Sequence, residues 1–335
     1  MTNSPKIFIV GSSRSGTTMM SRVLSNHSLI FSLKELHFFS QIYSNRISDS
    51  VNYNTSITIL AKLFSRQENG LFSNDEFQNF KKKSELILDK TRQYTYFELF
   101  SIFSEDILKE NSKHIICDQT PNNNFYINDI IKEFPEAKII NMVRDSRDVL
   151  LSQKNKWKRK FLGAKKIPLM ESIRSFLLYH PITTTFFWRS SLKQTEMFIS
   201  HPNLLVLKFE DFLLSPQKKC LDLCSFLNLD FEENMLLVPN IGSSTKEDTI
   251  EDLRIDSSKI SKWKSGGLNN AEIFISQFIS SNYMKKYGYQ NERFSFPPLG
   301  VLFYLLSFPI KFFFSVFLNF SRLSSVIDLL KNNRR

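Results

Sequence analysis

Short apolar runs alternate with helical patterns along most of this chain. Ile7, Phe8, Ile9 and Val10 are four consecutive apolar positions, the pattern of a strand covered on both faces. Comparable runs recur at 29–33, 114–118, 138–143 and 204–209. Met19, Met20, Val23 and Leu24 fall at helical spacing and predict a first helix directly after the first strand. Residues 45–112 read as mostly helical, with Asn- and Ser-rich joints at 44–56 and 69–74. Further helices are predicted over 128–134, stopped by Pro135, after Asp145, over 171–200, and from Glu210 through Leu227. Strands alternating with helices imply right-handed crossovers and a parallel sheet covered on both faces, a three-layer α/β sandwich.

The first strand ends in Gly11-Ser12-Ser13-Arg14-Ser15-Gly16-Thr17-Thr18. A small-residue turn between strand and helix lets backbone N–H groups and a helix N-terminus face a phosphate. The core is thus P-loop-like and nucleotide-binding. The triphosphatase pattern G-x-x-x-x-G-K-[ST] has Lys where Thr17 stands, and the cation sits instead at Arg14. This argues against a Mg-triphosphate site. Ligands of such sheets lie beyond the carboxyl ends of the strands. The turn, Glu35, Thr120 and Arg144 all follow predicted strand ends.

With 335 residues the chain can bury a substantial core, and its net charge of +11 favours anionic partners. Cys117, Cys220 and Cys224 are too few and scattered for a disulfide framework and read as reduced core residues. No recognised nucleic-acid motif is present. Only a few residues precede the first strand, which leaves no room for a signal peptide and predicts a cytoplasmic catalytic domain.

Four segments together resemble sulfotransferases that use 3′-phosphoadenosine 5′-phosphosulfate (PAPS), over about residues 5–290. GSSRSGTT resembles the 5′-phosphosulfate loop, and MVRDSRDVLLSQ the 3′-phosphate loop. LKELHFF resembles the stretch carrying the catalytic carboxylate, nearest to the heparan-sulfate and protein-tyrosine types. SKWKSGGL resembles the late segment that covers the nucleotide. The resemblance implies that Arg14, Ser15, Gly16, Thr17 and Thr18 hold the 5′-phosphosulfate, and that Arg144 and Ser152, joined by Lys156, hold the 3′-phosphate. Lys262, Trp263 and Lys264 would close over the nucleotide. Glu35 is the implied general base, its pKa raised by the crevice and opposed by Arg14. His37 orients it or touches the acceptor, sharing its side in extended chain.

The implied reaction moves a sulfuryl group to a hydroxyl on a glycan, glycolipid or small metabolite, releases 3′,5′-adenosine bisphosphate and needs no metal. Many relatives carry Lys in the slot of Gln119, so an inactive PAPS-binding relative is one alternative; a P-loop kinase is another.

Arg147 and Asp148 also suit a solvated helix-start pair. Seven cations between Lys154 and Lys166, interleaved with Trp157 and Phe161, suit a solvated face or a rim for an anionic acceptor or membrane. Residues 1–292 form the predicted catalytic domain and 293–335 a tail. The tail is strongly apolar over 296–320, with Lys311 its only charge, is interrupted by Pro297, Pro298 and Pro309, and ends in basic 331–335. A membrane-interface anchor, a partner-facing or homodimerising helix, and a helix folded onto the enzyme are its three readings.

Overall fold

Every residue of β1 (Lys6–Gly11) is buried, and its side chains alternate between two cores. Phe8 and Val10 enter an aromatic core with Phe38, Phe39, Phe100 and Phe103. Ile7 and Ile9 enter the opposite core with Met20, Val23, Leu24 and Phe212. An unbroken apolar run is therefore what a central strand between two layers requires.

The computed structural model describes residues 4–44, 46, 48–71, 76–164, 167–240, 244 and 249–318. Lys165, Lys166 and the basic end 331–335 lie outside the described residues. After β1 come α1 (Thr17–Ser25), β2 (Ile30–Ser32), β3 (Ser50–Val51), α2 (Tyr53–Asn69), α3 (Phe77–Ile87), β4 (Tyr94–Thr95) and α4 (Tyr96–Glu110). Next are β5 (Ile115–Gln119), α5 (Ile127–Glu133), β6 (Lys138–Val143), α6 (Ser146–Lys154), α7 (Leu169–Leu178), α8 (Pro181–Glu196) and β7 (Leu204–Lys208). The chain continues through α9 (Phe209–Leu214), α10 (Pro216–Leu227), β8 (Pro239–Asn240), β9 (Thr249–Leu253), α11 (Asn270–Lys286) and α12 (Gly300–Leu318).

Five strands form one sheet in the order β2-β5-β1-β6-β7, with every pairing parallel. From β1 the chain passes to edge strand β2, returns to β5 beside β1, and then crosses to β6 and β7. The connections leave β1 and β6 in opposite directions, which opens a crevice at their carboxyl ends. The predicted three-layer α/β fold with a C-terminal apolar helix is the observed one. The aromatic core is tight: Phe38 and Phe100 have ring centroids 4.8 Å apart, and Phe8 stacks on Phe100 at 6.2 Å. Helix starts are chemically specified as well. Thr95 and Glu98 form a reciprocal capping box at α4.

Cys117, Cys220 and Cys224 are free and buried. Burial pushes the Cys220 thiol up to about 12, which keeps it protonated and unreactive. α12 begins just after Pro297 and Pro298 and carries Pro309 inside it. By length and composition it could cross a membrane, with mean hydropathy 2.0 and none of its apolar window buried.

Candidate active site

The turn after β1 is shaped by its two glycines. Gly16 has φ +96°, and a Cβ there would lie 2.3 Å from the Phe209 ring. Gly11 has φ +141°, and a Cβ there would lie 2.5 Å from the Met142 carbonyl oxygen. Arg14 is itself left-handed, with φ 75°. α1 begins with no side-chain cap and no acidic residue in its first turn, so its N-terminus suits an anion. Ser15 Oγ is buried without a hydrogen-bond partner. Because Phe209 is buried and held, Gly16→Ala is expected to cost about 1–3 kcal/mol through backbone strain and overpacking. Urea unfolding checks this, and adding Phe209→Leu should restore part of the loss.

β6 delivers Arg144 to the same turn. Its Nη1 donates to the Arg14 carbonyl oxygen at 3.3 Å and its Nη2 to the Lys259 carbonyl oxygen at 3.0 Å. Its guanidinium lies 4.4 Å from the Phe209 ring centroid, and its Nε is buried and unpartnered. From α6, Ser152 Oγ accepts from Arg14 Nε at 2.9 Å and also lies 3.1 Å from Ser244 Oγ. The two anion elements predicted from sequence are thus neighbours. Arg22, Arg254 and Lys259, together with Asp256, line an adjoining groove. Burial, with Arg159 and Arg144 nearby, lowers the Arg14 pKa to about 10, which still leaves it cationic at neutral pH.

Glu35 follows β2 on a loop clamped by α2. Lys34 N–H donates to Gln67 Oε1 at 3.0 Å, and Arg66 donates to the Leu36 carbonyl. Lys34 Nζ is bound to the Glu68 carbonyl at 2.7 Å and not to Glu35. Gln119 Nε2 donates to both Glu35 Oε1 (3.2 Å) and Thr17 Oγ1 (3.1 Å), linking the carboxylate to the first turn of α1. His37 Nε2 lies 3.6 Å from Glu35 Oε2. His37 has φ 51°, so a left-handed residue, not extended chain, brings the pair together.

The expected upward shift of Glu35 is not what the site produces. Desolvation pushes its pKa up, but His37, Gln119 and Lys156 outweigh that and hold it below the usual carboxylate value. The side chain remains 44% exposed and can meet an incoming group.

A model of the sulfotransferase family matches residues 5–233. The chain belongs to the sulfotransferase family. The sulfotransferase domain from the curacin biosynthetic pathway shares its fold with a TM-score of 0.53 and 19% identity, over 86% of this chain and 99% of that one. The sulfotransferase domain from the Synechococcus PCC 7002 olefin synthase gives 0.50 and 19%, over 83% of this chain and 94% of that one. An uncharacterised protein of Aquifex aeolicus (strain VF5) is 29% identical over 147 residues, which is 44% of this chain and 16% of that protein. The match thus spans under a fifth of that relative's length.

Several residues of this sulfotransferase sit differently from the sequence expectation. Lys156 is solvent-exposed at the start of the 3₁₀ turn after α6. Its charge is felt by Glu35, whose pKa it helps to lower. Trp263 is buried and does not present its ring to solvent. The Arg147 guanidinium packs 3.9 Å from the Trp263 ring centroid, and the Trp263 backbone N–H donates to Asp148 Oδ1 at 2.9 Å. It braces α6, with Lys262 and Lys264 on either side in the same short helical turn. Thr17 is buried and Thr18 exposed.

Arg147 and Asp148 are both buried, which corrects the solvated reading. Arg147 donates to Asp145 through Nε (3.0 Å) and Nη2 (2.7 Å). Burial pushes Asp148 up to about 6 despite Arg144 beside it. Lys154 is bound to buried Glu272 at 2.8 Å, so it too is structural. The sequence reading missed Asp118. It accepts from Thr120 Oγ1 (2.8 Å) and Asn123 Nδ2 (3.1 Å) and so fixes the turn after Gln119. No group of three or more His, Cys, Asp or Glu suited to a metal occurs among the described residues.

Proposed function

We propose that this sulfotransferase transfers a sulfuryl group from PAPS to a hydroxyl, with Glu35 as the base. The carrying observation is the junction of Arg14 with Arg144 and Ser152, 130 and 138 residues away in sequence, through two hydrogen bonds. The orphaned Ser15 Oγ and Arg144 Nε, with the uncapped α1, suit a ligand with phosphate at two positions. PAPS supplies the sulfuryl group and a bisphosphate leaving group.

Arg14, the Ser15 hydroxyl and the N–H groups of Gly16 to Thr18 hold the 5′ end, and Arg144 and Ser152 hold the 3′-phosphate. Lys262 and Lys264 flank the nucleotide. The acceptor hydroxyl loses its proton to Glu35 as its oxygen bonds to sulfur. The bond between sulfur and the 5′-phosphate oxygen breaks, and Arg14 and Lys156 stabilise the charge left there. Gln119 cannot supply that charge; it aligns Glu35 with Thr17.

A screen with ³⁵S-labelled PAPS against glycans, glycolipids and small alcohols tests the reading. Label must move to at least one class, and faster than in Glu35→Gln. Glu35 accepts a proton only when ionised, so its low pKa keeps turnover active down to acidic pH. The rate is lost as pH falls through that depressed pKa. His37→Asn removes a group that lowers this pKa. The acidic limb of the kcat/KM profile is therefore expected to move to higher pH, and an unmoved limb would remove His37 from this role.

A further inference from the structure

α7 is turned inside out relative to water. Leu169, Met170, Ile173, Phe176 and Leu177 fall at helical spacing on one stripe, yet they are between 43% and 72% exposed. The polar side faces the protein: Ser172 is buried, and Glu171 pairs with Arg174 at 3.1 Å. Both charges act on Lys156, whose own charge acts on Glu35. α7 packs against the 3₁₀ turn Lys156–Phe161 that carries Lys156, while its outer face is bare hydrocarbon.

α12 repeats the arrangement. Tyr304, Ser307, Phe308 and Lys311 fall at i, i+3, i+4 and i+7, and this is the stripe that meets the body. His180 has ring contacts with Tyr304 (5.6 Å) and Phe308 (5.5 Å). Lys311 Nζ donates to the Leu177 carbonyl at 2.9 Å, tying the only charge of α12 to the end of α7. On the other side Leu302, Phe303, Leu306, Phe313 and Phe317 are 61–77% exposed. Two helices strapped together thus present apolar faces outward.

We infer that α7 and α12 form one docking face for an anionic bilayer surface, and that the acceptor hydroxyl belongs to an amphiphile resident in that bilayer. This rests on the sulfuryl-transfer reading above. Charge and aromatic placement favour lipid over a second copy of the chain. Trp157 stacks edgewise on Phe176 (5.7 Å) and Phe161 (6.3 Å), and exposed Lys158 lies over its ring, an aromatic-basic rim suited to headgroups. A net charge of +11 would oppose self-association through such a face and favour anionic lipid. Because α7 separates this face from Lys156, an alcohol entering beside α7 brings its hydroxyl toward Glu35 while its chain stays in lipid.

The full chain is floated with phosphatidylcholine vesicles with and without phosphatidylglycerol, and ³⁵S transfer is read on a vesicle-embedded long-chain alcohol and its water-soluble short-chain homologue. Binding is expected with phosphatidylglycerol, together with faster transfer to the embedded alcohol. Ile173→Glu/Phe176→Glu is expected to lower both by at least about tenfold, while transfer to the short homologue and affinity for 3′,5′-adenosine bisphosphate stay unchanged. Phe303→Glu/Phe313→Glu on α12 provides a second variant should the first fail to fold. Absence of vesicle binding, undiminished binding by both variants, or a vesicle-free dimer broken by the same substitutions would overturn the docking face. Vesicle binding with label transfer to neither alcohol would support the docking face and overturn the acceptor assignment. Intact nucleotide affinity in that case would place the failure at the acceptor, and lost nucleotide affinity would place it in the sulfuryl-transfer reading itself.

Discussion

Glu35→Gln is expected to cut turnover by about 10²–10⁴-fold, the range typical of losing a positioned general base, while leaving affinity for 3′,5′-adenosine bisphosphate nearly unchanged. The substitution keeps shape and one acceptor oxygen, so the Gln119 bond at 3.2 Å can persist with the amide suitably turned. The loop is held by backbone contacts from Gln67 and Arg66, which do not involve the carboxylate. Folding and the phosphate elements should therefore be untouched. Only the capacity to take a proton is removed, so kcat falls while the nucleotide Kd holds. The low pKa of Glu35 makes it a weak base but a fully ionised one at neutral pH. Single-turnover rates with labelled donor check the result, and turnover retained in Glu35→Gln would remove the base assignment.

Arg144→Ala is expected to weaken nucleotide binding by about 2–4 kcal/mol, the cost typical of truncating one partner of a buried charged pair, or roughly thirty- to a thousandfold in Kd. Arg144 is fixed on three sides before any ligand arrives. It donates to two carbonyls, packs on Phe209, and lies 3.8 Å from Asp148 Oδ2. Such preorganisation means little ordering cost remains on binding a phosphate. Because removal also unpairs buried Asp148, stability must be followed alongside. Arg144→Lys separates the effects, since it keeps the charge but loses the fork that grips phosphate in two places. Isothermal titration should place Arg144→Lys between wild type and Arg144→Ala.

Much of this site was legible from sequence because backbone requirements leave plain marks. A strand buried on both faces needs an unbroken apolar run, and Ile7 to Val10 supply one. A chain that turns sharply under Phe209 and Met142 needs glycine, and Gly16 and Gly11 stand there. Arg144 was legible because it directly follows the Lys138–Val143 strand.

Features set by long-range packing left no such mark. Nothing local told that Arg147 and Asp145 would pair in the interior, or that Trp263 would lie beneath Arg147. Lys156 sits two residues beyond the end of α6, where a change from α to 3₁₀ geometry redirects the chain. Periodicity reveals the apolar stripe of α7 but not what covers it, since the same pattern serves a core or a bilayer. Its exposure emerges only once the ion pair of Glu171 and Arg174 is seen on the inner side.

The central claim is that two anion sites grip one nucleotide at both ends. Titrating wild type and Arg144→Ala with 3′,5′-adenosine bisphosphate and with adenosine 5′-monophosphate tests it most directly. The account predicts that wild type strongly prefers the bisphosphate and that Arg144→Ala loses most of that preference while binding the monophosphate as before. Equal affinity of wild type for the two nucleotides would contradict it.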